Sequence, residues 1–255
     1  MPQDFVASAI LKSIRALPNY PKLDVLDLSC GRGEILSALV GDGCTARGTH
    51  YRSDDYKLTT QFTPLMTGGL PIDDGVDLMK PLPYESASFD LVVLSEVIEH
   101  LESFMPIVRE IGRVLRPGGH FVMSTPNMAR LHSRFHFFLT GTHKLIRRRV
   151  GWDLAGDELY AYHINPVDFP LFHTLLHQSG MHVRAIEFTR IKARHLWLLL
   201  GYPLFWLATQ LGTREKITSD EHREGERDLR RWMHSPAMLA SEQLLVVARR
   251  GAGGS

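Results

Sequence analysis

The chain has 255 residues, of which 44% are hydrophobic, and a formal net charge of +1. This length allows one large domain or two small ones, and the near-neutral charge excludes a global field that attracts nucleic acid. Two cysteines, Cys30 and Cys44, exclude a disulfide framework and a cysteine zinc cluster, so a reducing compartment fits best. The first residues contain no basic leader before an apolar stretch, so we expect no signal peptide and a cytoplasmic protein.

Strand-like and helix-like stretches alternate through the first half of the chain. Apolar residues at helical spacing predict helices, and β-branched apolar runs predict buried strands. In chain order these are a helix over 5–16, a strand over 23–28, a helix that ends near residue 40, strands over 44–50 and 88–97, a helix over 103–116, and a strand over 120–126. Residues 51–75 are predicted to be irregular. The alternation predicts right-handed crossovers and a largely parallel sheet.

The second half of the chain is less regular. The expected elements there are a helix over 165–181 and strands over 182–191 and 241–250. Between the two strands lies an insert, residues 193–240, that begins with an apolar run and continues with a highly charged one. We expect a single domain over residues 1–255 that carries this insert.

The stretch VLDLSCGRGEIL, residues 25–36, joins a predicted strand to a predicted helix through a glycine turn. Gly31 and Gly33 lack Cβ atoms, which allows a tight turn and close approach of the backbone to a ligand. The N-terminus of the following helix offers free N–H groups to an anionic group. A dinucleotide fingerprint needs a third glycine where this chain has Leu36, and the Gly-Lys-Ser/Thr of a P-loop is missing. A ligand site and a purely structural turn both stay open at this point.

Four segments together resemble the class I S-adenosylmethionine-dependent methyltransferases. The first is the glycine turn, which matches the family's first motif except that Ser29 stands where glycine is common. The other three follow in the family's order and spacing, at residues 77–93, 95–102 and 110–127. The resemblance covers about residues 20–192 and the last strand. It implies an α/β fold with a doubly wound, mostly parallel sheet, an antiparallel last strand, a helical insert before that strand, and S-adenosylmethionine as cofactor.

The resemblance also implies which residues bind the cofactor. They are Asp27, Ser29, Gly31 and Gly33 in the first motif, Asp77 and Leu78 before the fourth strand, and Ser95 at the end of that strand. The family usually ends its second strand with an acid that holds both ribose hydroxyls, but this chain has His50 there. A histidine accepts one hydrogen bond and not two in parallel, as a carboxylate does. We assign the ribose contact to His50, with Asp54 or Asp55 as alternatives, and a non-catalytic binding module stays a competing hypothesis.

The stretch EVIEH, residues 96–100, supplies the predicted catalytic residues. His100 is the candidate general base, because imidazole titrates near neutrality, and Glu99 is assigned to the same site. A histidine that caps or packs the following helix is the structural alternative. The stretch also resembles the metal site of the small-RNA 3′-end methyltransferases, in which Glu96, Glu99 and His100 are completed by a later histidine, here His163. The same motif also resembles that of small-molecule methyltransferases that use no metal, and we predict that this site binds no metal.

The insert begins with the apolar run HLWLLLGYPLFWLATQL, residues 195–211, which is too short to span a bilayer. Its aromatic residues favour a lipid–water interface. Three hypotheses follow: contact of 195–211 with a membrane surface, a lid over a greasy acceptor, or a buried helix. We predict an O-methyltransferase for a lipid-linked, glycan or other small-molecule acceptor, peripheral to the inner face of a membrane. The basic run 147–149 is typical of a solvated face, and we do not expect nucleic acid as a partner.

Overall fold

The structure is a computed structural model that describes residues 5–51, 69–143, 152–153, 163–212 and 217–252. One sheet contains seven strands: β1 Asp24–Leu28, β2 Thr45–His50, β3 Ile72–Asp74, β4 Phe89–Ser95, β5 Leu115–Pro126, β6 Met181–Glu187 and β7 Gln243–Arg250. Their order is β3-β2-β1-β4-β5-β7-β6. The pairs that involve β7 are antiparallel and the others are parallel. The predicted fold class, a mostly parallel α/β sheet with an antiparallel last strand, is confirmed.

Helices lie on both faces of this sheet. The α-helices of the described residues are α1 Phe5–Arg15, α2 Glu34–Gly41, α3 Met105–Val114, α4 Leu131–Thr140, α5 Phe169–Gln178, α6 Tyr202–Gly212, α7 Asp220–Met233 and α8 Pro236–Ala240. Two 3₁₀ segments, Ile98–His100 and Ala193–Gly201, complete the set.

Strand β4 separates two apolar layers, because successive side chains of a strand point to opposite faces. Leu91 and Val93 are fully buried in the layer formed by α1 and α2. Val92 and Leu94 are fully buried in the layer formed by α3 and α5. The run of apolar residues in β4 therefore reflects burial on both faces, which is typical of a central parallel strand.

The largest differences from the sequence-based expectation are a strand within residues 51–75 and the early start of β5; the helix predicted over 165–181 and the strand predicted over 182–191 are also shorter, at Phe169–Gln178 and Met181–Glu187. Residues 51–75 were expected to be irregular, but β3 lies within them and pairs with β2 at the sheet edge; three residues are too few to show an alternating pattern. Strand β5 begins at Leu115 rather than at 120, and the helix before it ends at Val114. Gly119 permits the early start, because a Cβ there would lie 2.9 Å from the Arg116 carbonyl oxygen and 3.1 Å from that of Asp90.

The insert folds as a helical unit before β7. The 3₁₀ segment Ala193–Gly201 leads into α6, and the charged run forms the amphipathic helix α7, whose first turn is capped by the Ser219 side chain accepting from the His222 N–H. Buried Leu198 packs on Leu131 of α4 and Leu239 of α8. Within the described ranges, we find no helix long and apolar enough to cross a membrane.

Candidate functional site

The glycine turn between β1 and α2 has a strained backbone that two side chains hold in place. Ser29, Gly31 and Gly33 have φ angles of 54°, 56° and 75°, in the left-handed region that favours glycine. The Ser29 N–H donates to Thr49 Oγ1 at 2.8 Å, and His50 Nε2 donates to the Gly31 carbonyl oxygen at 2.7 Å. No atom of the described residues lies within 4 Å of a Cβ built on Gly31, so within that part of the chain the turn borders open space.

The carboxyl group of Asp27 lies at the start of this turn, and the described residues do not satisfy all of its hydrogen-bonding capacity. The residue is only 2% exposed, and its Oδ2 atom has no hydrogen-bond partner among the described residues. Burial raises the pKa of Asp27 from 3.8 to about 7. A buried, unsatisfied carboxyl beside open space is suited to a cationic donor such as an ammonium group.

His50 lies at the end of β2, where the sequence predicts a ribose contact. Its Nε2 hydrogen is engaged with the Gly31 carbonyl, so Nδ1 is the nitrogen left to accept a hydrogen bond. Nδ1 lies 3.8 Å from Asp74 Oδ1 on the neighbouring strand β3. His50 thus ties the second strand to the glycine turn, which sequence reasoning had not foreseen. Asp54 and Asp55, the alternative ribose ligands, lie outside the described residues.

Asp77 and Leu78 form a short turn after β3. Asp77 Oδ1 accepts from the Met79 N–H at 2.9 Å, and Oδ2 lies 3.2 Å from Lys80 Nζ. Leu78 is buried in the main apolar core. The side chain of Asp77 is therefore held in one orientation, while Leu78 contributes chiefly to packing.

The end of β4 is held against the end of β5 by hydroxyl groups. The hydroxyls of Ser95 and Ser124 lie 3.2 Å apart, and Ser124 Oγ donates to Glu96 Oε1 at 2.9 Å. Glu96 has a φ angle of 54°, an uncommon backbone conformation for a residue with a side chain. The strain directs the chain sharply into the 3₁₀ segment that carries Glu99 and His100.

Glu99 lines a pocket, and the His100 side chain lies beside that of Glu99. Glu99 is 1% exposed, its Oε2 accepts from Thr125 Oγ1 at 2.9 Å, and its Oε1 lies 4.0 Å from His100 Nε2. The Asn165 N–H donates to the Glu99 carbonyl oxygen at 3.0 Å, which attaches the loop before α5 to the 3₁₀ segment Ile98–His100. Residues lining the pocket include Glu99, Thr125, Pro126, Met128, His163 and Pro166.

His163 joins this pair from the loop before α5. Its ring packs edge-on against that of His100, with 5.1 Å between ring centroids. One ligand atom each from Glu99, His100 and His163 lie within 4.8 Å of one another, a donor set that divalent transition metals accept. Glu96, the second carboxylate of the metal hypothesis, does not belong to this group; it accepts the hydrogen bond from Ser124.

The predicted site residues converge because the carboxyl ends of parallel strands meet at one sheet edge. Asp27, Ser29 and the two glycines follow β1, His50 ends β2, and Ser95, Glu99 and His100 end or follow β4. Sequence reasoning missed Thr49 and Thr125, which hold the turn and Glu99. It also missed Gly48, where a Cβ would lie 2.7 Å from both Cys30 Sγ and Leu36 Cδ2. The only signal for these residues was their place next to a strand end.

Comparisons with known proteins agree with this geometry. A family model described as a methyltransferase domain matches residues 26–123. A ubiquinone biosynthesis O-methyltransferase of Methylocella silvestris is 28% identical over 166 residues, which cover 65% of this chain and 58% of that protein. One of the same name from Paracidovorax citrulli is 27% identical over 172 residues, which cover 67% and 69%. The matched domain and these relatives support a class I S-adenosylmethionine-dependent methyltransferase.

A solved structure supports the fold of this chain. The crystal structure of a SAM-dependent methyltransferase from Archaeoglobus fulgidus has a TM-score of 0.53 at 17% identity, with 96% of this chain and 93% of that chain covered. Matches to three of the ubiquinone biosynthesis relatives span 49% to 69% of their lengths. S-adenosylmethionine is the cofactor of the family. The site fits it, because Asp27 offers an unsatisfied carboxyl oxygen for its ammonium group and Gly31 leaves space beside the turn.

Proposed function

We propose that this methyltransferase transfers the methyl group of S-adenosylmethionine to a hydroxyl oxygen of a small-molecule acceptor that carries a lipid or glycan part. The proposal rests on two groups of residues at the same edge of the sheet. The glycine turn with Asp27 forms the cofactor part, and the pocket beside Glu99 and His100 forms the acceptor part. An oxygen acceptor is favoured because two relatives are named as O-methyltransferases.

In this proposal the protein positions the acceptor, excludes water from it and removes the proton of its hydroxyl group. The sulfonium of the bound cofactor supplies an activated methyl group. His100 takes the proton of the acceptor hydroxyl, and the Glu99 carboxylate, 4.0 Å from His100 Nε2, stabilises the imidazolium that forms. Thr125 holds Glu99 by its hydrogen bond. Pro126, Met128 and the loop after His163 shield the pocket from water, which strengthens these charge interactions.

A metal-assisted variant is the second candidate, favoured by the clustering of Glu99, His100 and His163. A divalent cation held by these three residues would lower the pKa of a coordinated hydroxyl, so that no imidazole base is needed. The first candidate leads because Glu99 is already engaged by Thr125 and Glu96 is directed to Ser124. An RNA acceptor draws no support from residues 147–149, which lie outside the described residues.

The apolar surface of the molecule suggests where the acceptor comes from. We define this surface as the exposed hydrophobic residues of α4 and the insert: Phe137, Phe138, Leu139, Trp197, Leu200, Leu204, Trp206 and Leu207. The two elements pack together, with 5.9 Å between the ring centroids of Phe135 and Trp197. Large exposed apolar patches mark binding surfaces, and tryptophan favours a lipid–water interface. We assign this surface to contact with a membrane that holds the acceptor.

Two measurements test the proposed function. Calorimetric titration with S-adenosylhomocysteine should give saturable binding, and its failure at millimolar ligand would remove both the enzyme and the cofactor-binding module. Labelled S-adenosylmethionine should then transfer its label to a component of the lipid fraction of a cell extract. Label found only in the RNA fraction, or none in any fraction despite cofactor binding, would overturn the choice of acceptor.

A further inference from the structure

Two arginines at the start of α4 have buried side-chain nitrogen atoms that make no hydrogen bond with the described residues. Arg130, the N-cap residue of α4, is 7% exposed, and its Nε has no hydrogen-bond partner in the described part of the chain. Arg134 follows one turn later, and its Nη2 is likewise buried and unsatisfied by any described residue. Each buried donor without a partner costs stability, so the pair needs an acceptor that the described residues do not supply.

His234 is a third group with the same deficit. It follows the last turn of α7, and both of its ring nitrogens are buried without a hydrogen-bond partner among the described residues. Its ring packs against that of Tyr202, with 6.0 Å between centroids. Burial lowers the pKa of His234, and the positive charges of Arg134 and Arg230 lower it further.

Among the described residues, one carboxylate faces several positive charges in this region. Glu242 is the carboxylate that Arg130 approaches, at 3.6 Å, and it is shared with Arg190 at 3.5 Å and with Lys192. For Arg134, burial lowers the pKa, and no carboxylate of the described residues offsets that cost. Among the described residues, three cations therefore share one carboxylate, and Arg134, one helical turn from Arg130, has none.

We propose that Arg130, Arg134 and His234 bind an oxyanion, a carboxylate or phosphate group of a small molecule. A guanidinium presents paired N–H donors that match the two oxygens of such a group, and burial strengthens the charge-assisted bonds. Arg134 is partly exposed, which leaves a path for the anion. Arg130 follows two residues after Met128 of the pocket, so the anion is placed as the charged end of the acceptor. That last step rests on the proposed function; anion binding itself does not.

Thermal unfolding at constant ionic strength tests the proposal. About 50 mM inorganic phosphate or acetate, exchanged for chloride, should raise the Tm of the wild type by about 5 °C, if this is some twentyfold above the dissociation constant. Arg134→Met keeps most of the side-chain volume but removes charge and donors. It should unfold at the same or a higher Tm than the wild type in chloride and lose the response to both anions. Arg109→Met, at an exposed position on α3, is the matched control and should keep the full response.

A second variant and a second ligand keep the outcomes distinct. Arg134→Lys retains the charge and the aliphatic stem but not the paired donors, so its shift in Tm should fall by about half. S-adenosylhomocysteine should bind Arg134→Met as tightly as wild type, which separates the anion site from the cofactor site. The proposal is overturned if phosphate and acetate stabilise no more than chloride does, or if Arg134→Met keeps the response. A wild type that ignores both anions together with a destabilised Arg134→Met would assign a structural role to the arginine.

Discussion

Asp27 shows how a single buried carboxyl can couple folding, protonation and cofactor binding. Because burial raises its pKa from 3.8 to about 7, the folded chain retains a proton that the unfolded chain loses above about pH 4. The contribution of Asp27 to the free energy of unfolding therefore falls as the pH rises from about 4 to about 7 and is constant above that. A bound ammonium group favours the carboxylate, so cofactor binding should release this proton.

The substitution Asp27→Asn separates these effects. Without a buried charge to form, the variant should be more stable than the wild type at pH 8, and the difference should vanish below about pH 4. Its affinity for S-adenosylhomocysteine should fall about 10- to 100-fold at pH 8, the cost of a lost charge-assisted hydrogen bond. The wild-type affinity should rise from pH 6 to pH 8, and that of the variant should not. Calorimetry at the two pH values checks this; equal pH profiles would exclude Asp27 from the ammonium contact.

His100 is the residue at which general-base and metal chemistry give opposite expectations. As a base, its replacement in His100→Ala should lower turnover about 10²- to 10⁴-fold while the affinity for S-adenosylhomocysteine is unchanged. A chelator should then leave the wild-type rate unaffected, which is the result we expect. His177→Ala, at a half-exposed position on α5, is the control and should retain the full rate. Loss of activity on chelation, with His163→Ala as damaging as His100→Ala, would establish the metal-assisted variant instead.

At the scale of elements, the glycine turn depends on both its own backbone and its neighbours. Gly31 and Gly141 have φ angles of 56° and 66°, and a Cβ at either would lie more than 4 Å from every atom of the described residues. Valine should therefore cost a similar amount of stability at both positions, about 1–2 kcal/mol, through backbone strain alone. Gly31→Val should also abolish binding of S-adenosylhomocysteine, because its side chain occupies the space beside the turn. Gly141→Val, at the end of α4, should bind normally; a matched loss in both variants would mean that strain, not ligand contact, is responsible.

The sequence allowed the central elements to be predicted because their signals are local. The apolar run of β4 and the helical stripe of α3 are visible within ten residues, and the glycine turn carries its own spacing. The interactions that hold the site are not local. The hydrogen bond from His50 to Gly31 joins residues 19 positions apart, and that from Thr125 to Glu99 joins residues 26 positions apart. Glu242 pairs with Arg130 and Lys192, which belong to two other segments. Such contacts follow from strand order, which residue spacing does not encode.

At the scale of the whole molecule, the insert and α4 pack against each other. The sequence left three alternatives for the apolar run 195–211: membrane contact, a lid over the acceptor, or a buried helix. The exposure of its side chains bears on the last of these. Leu198 is buried, but Leu200 and Leu204 are 86% and 71% exposed, so a fully buried helix does not describe the segment. Tyr202 of the same segment packs against His234, one of the residues proposed to bind an anion. An acceptor with a charged end and an apolar tail would use both features.

The apolar surface predicts that the whole molecule binds to a membrane surface. Wild-type protein should float with liposomes, because its exposed aromatic side chains gain free energy at a lipid interface. Trp197 and Trp206 are 58% and 46% exposed, so the double variant Trp197→Glu with Trp206→Glu should leave the membrane without a large fall in Tm.

A matched pair from elsewhere on the molecule makes this test specific. Met105 and Leu171 are 39% and 47% exposed, on α3 and α5, outside the apolar surface. Met105→Glu with Leu171→Glu adds the same charge, so this double variant should still float if the apolar surface is the contact. Release by both pairs would indicate general repulsion from anionic lipid, which a repeat with neutral liposomes would remove. A wild type that stays in solution with every lipid composition, combined with unfolding of the tryptophan pair, would assign these side chains to the protein's own packing.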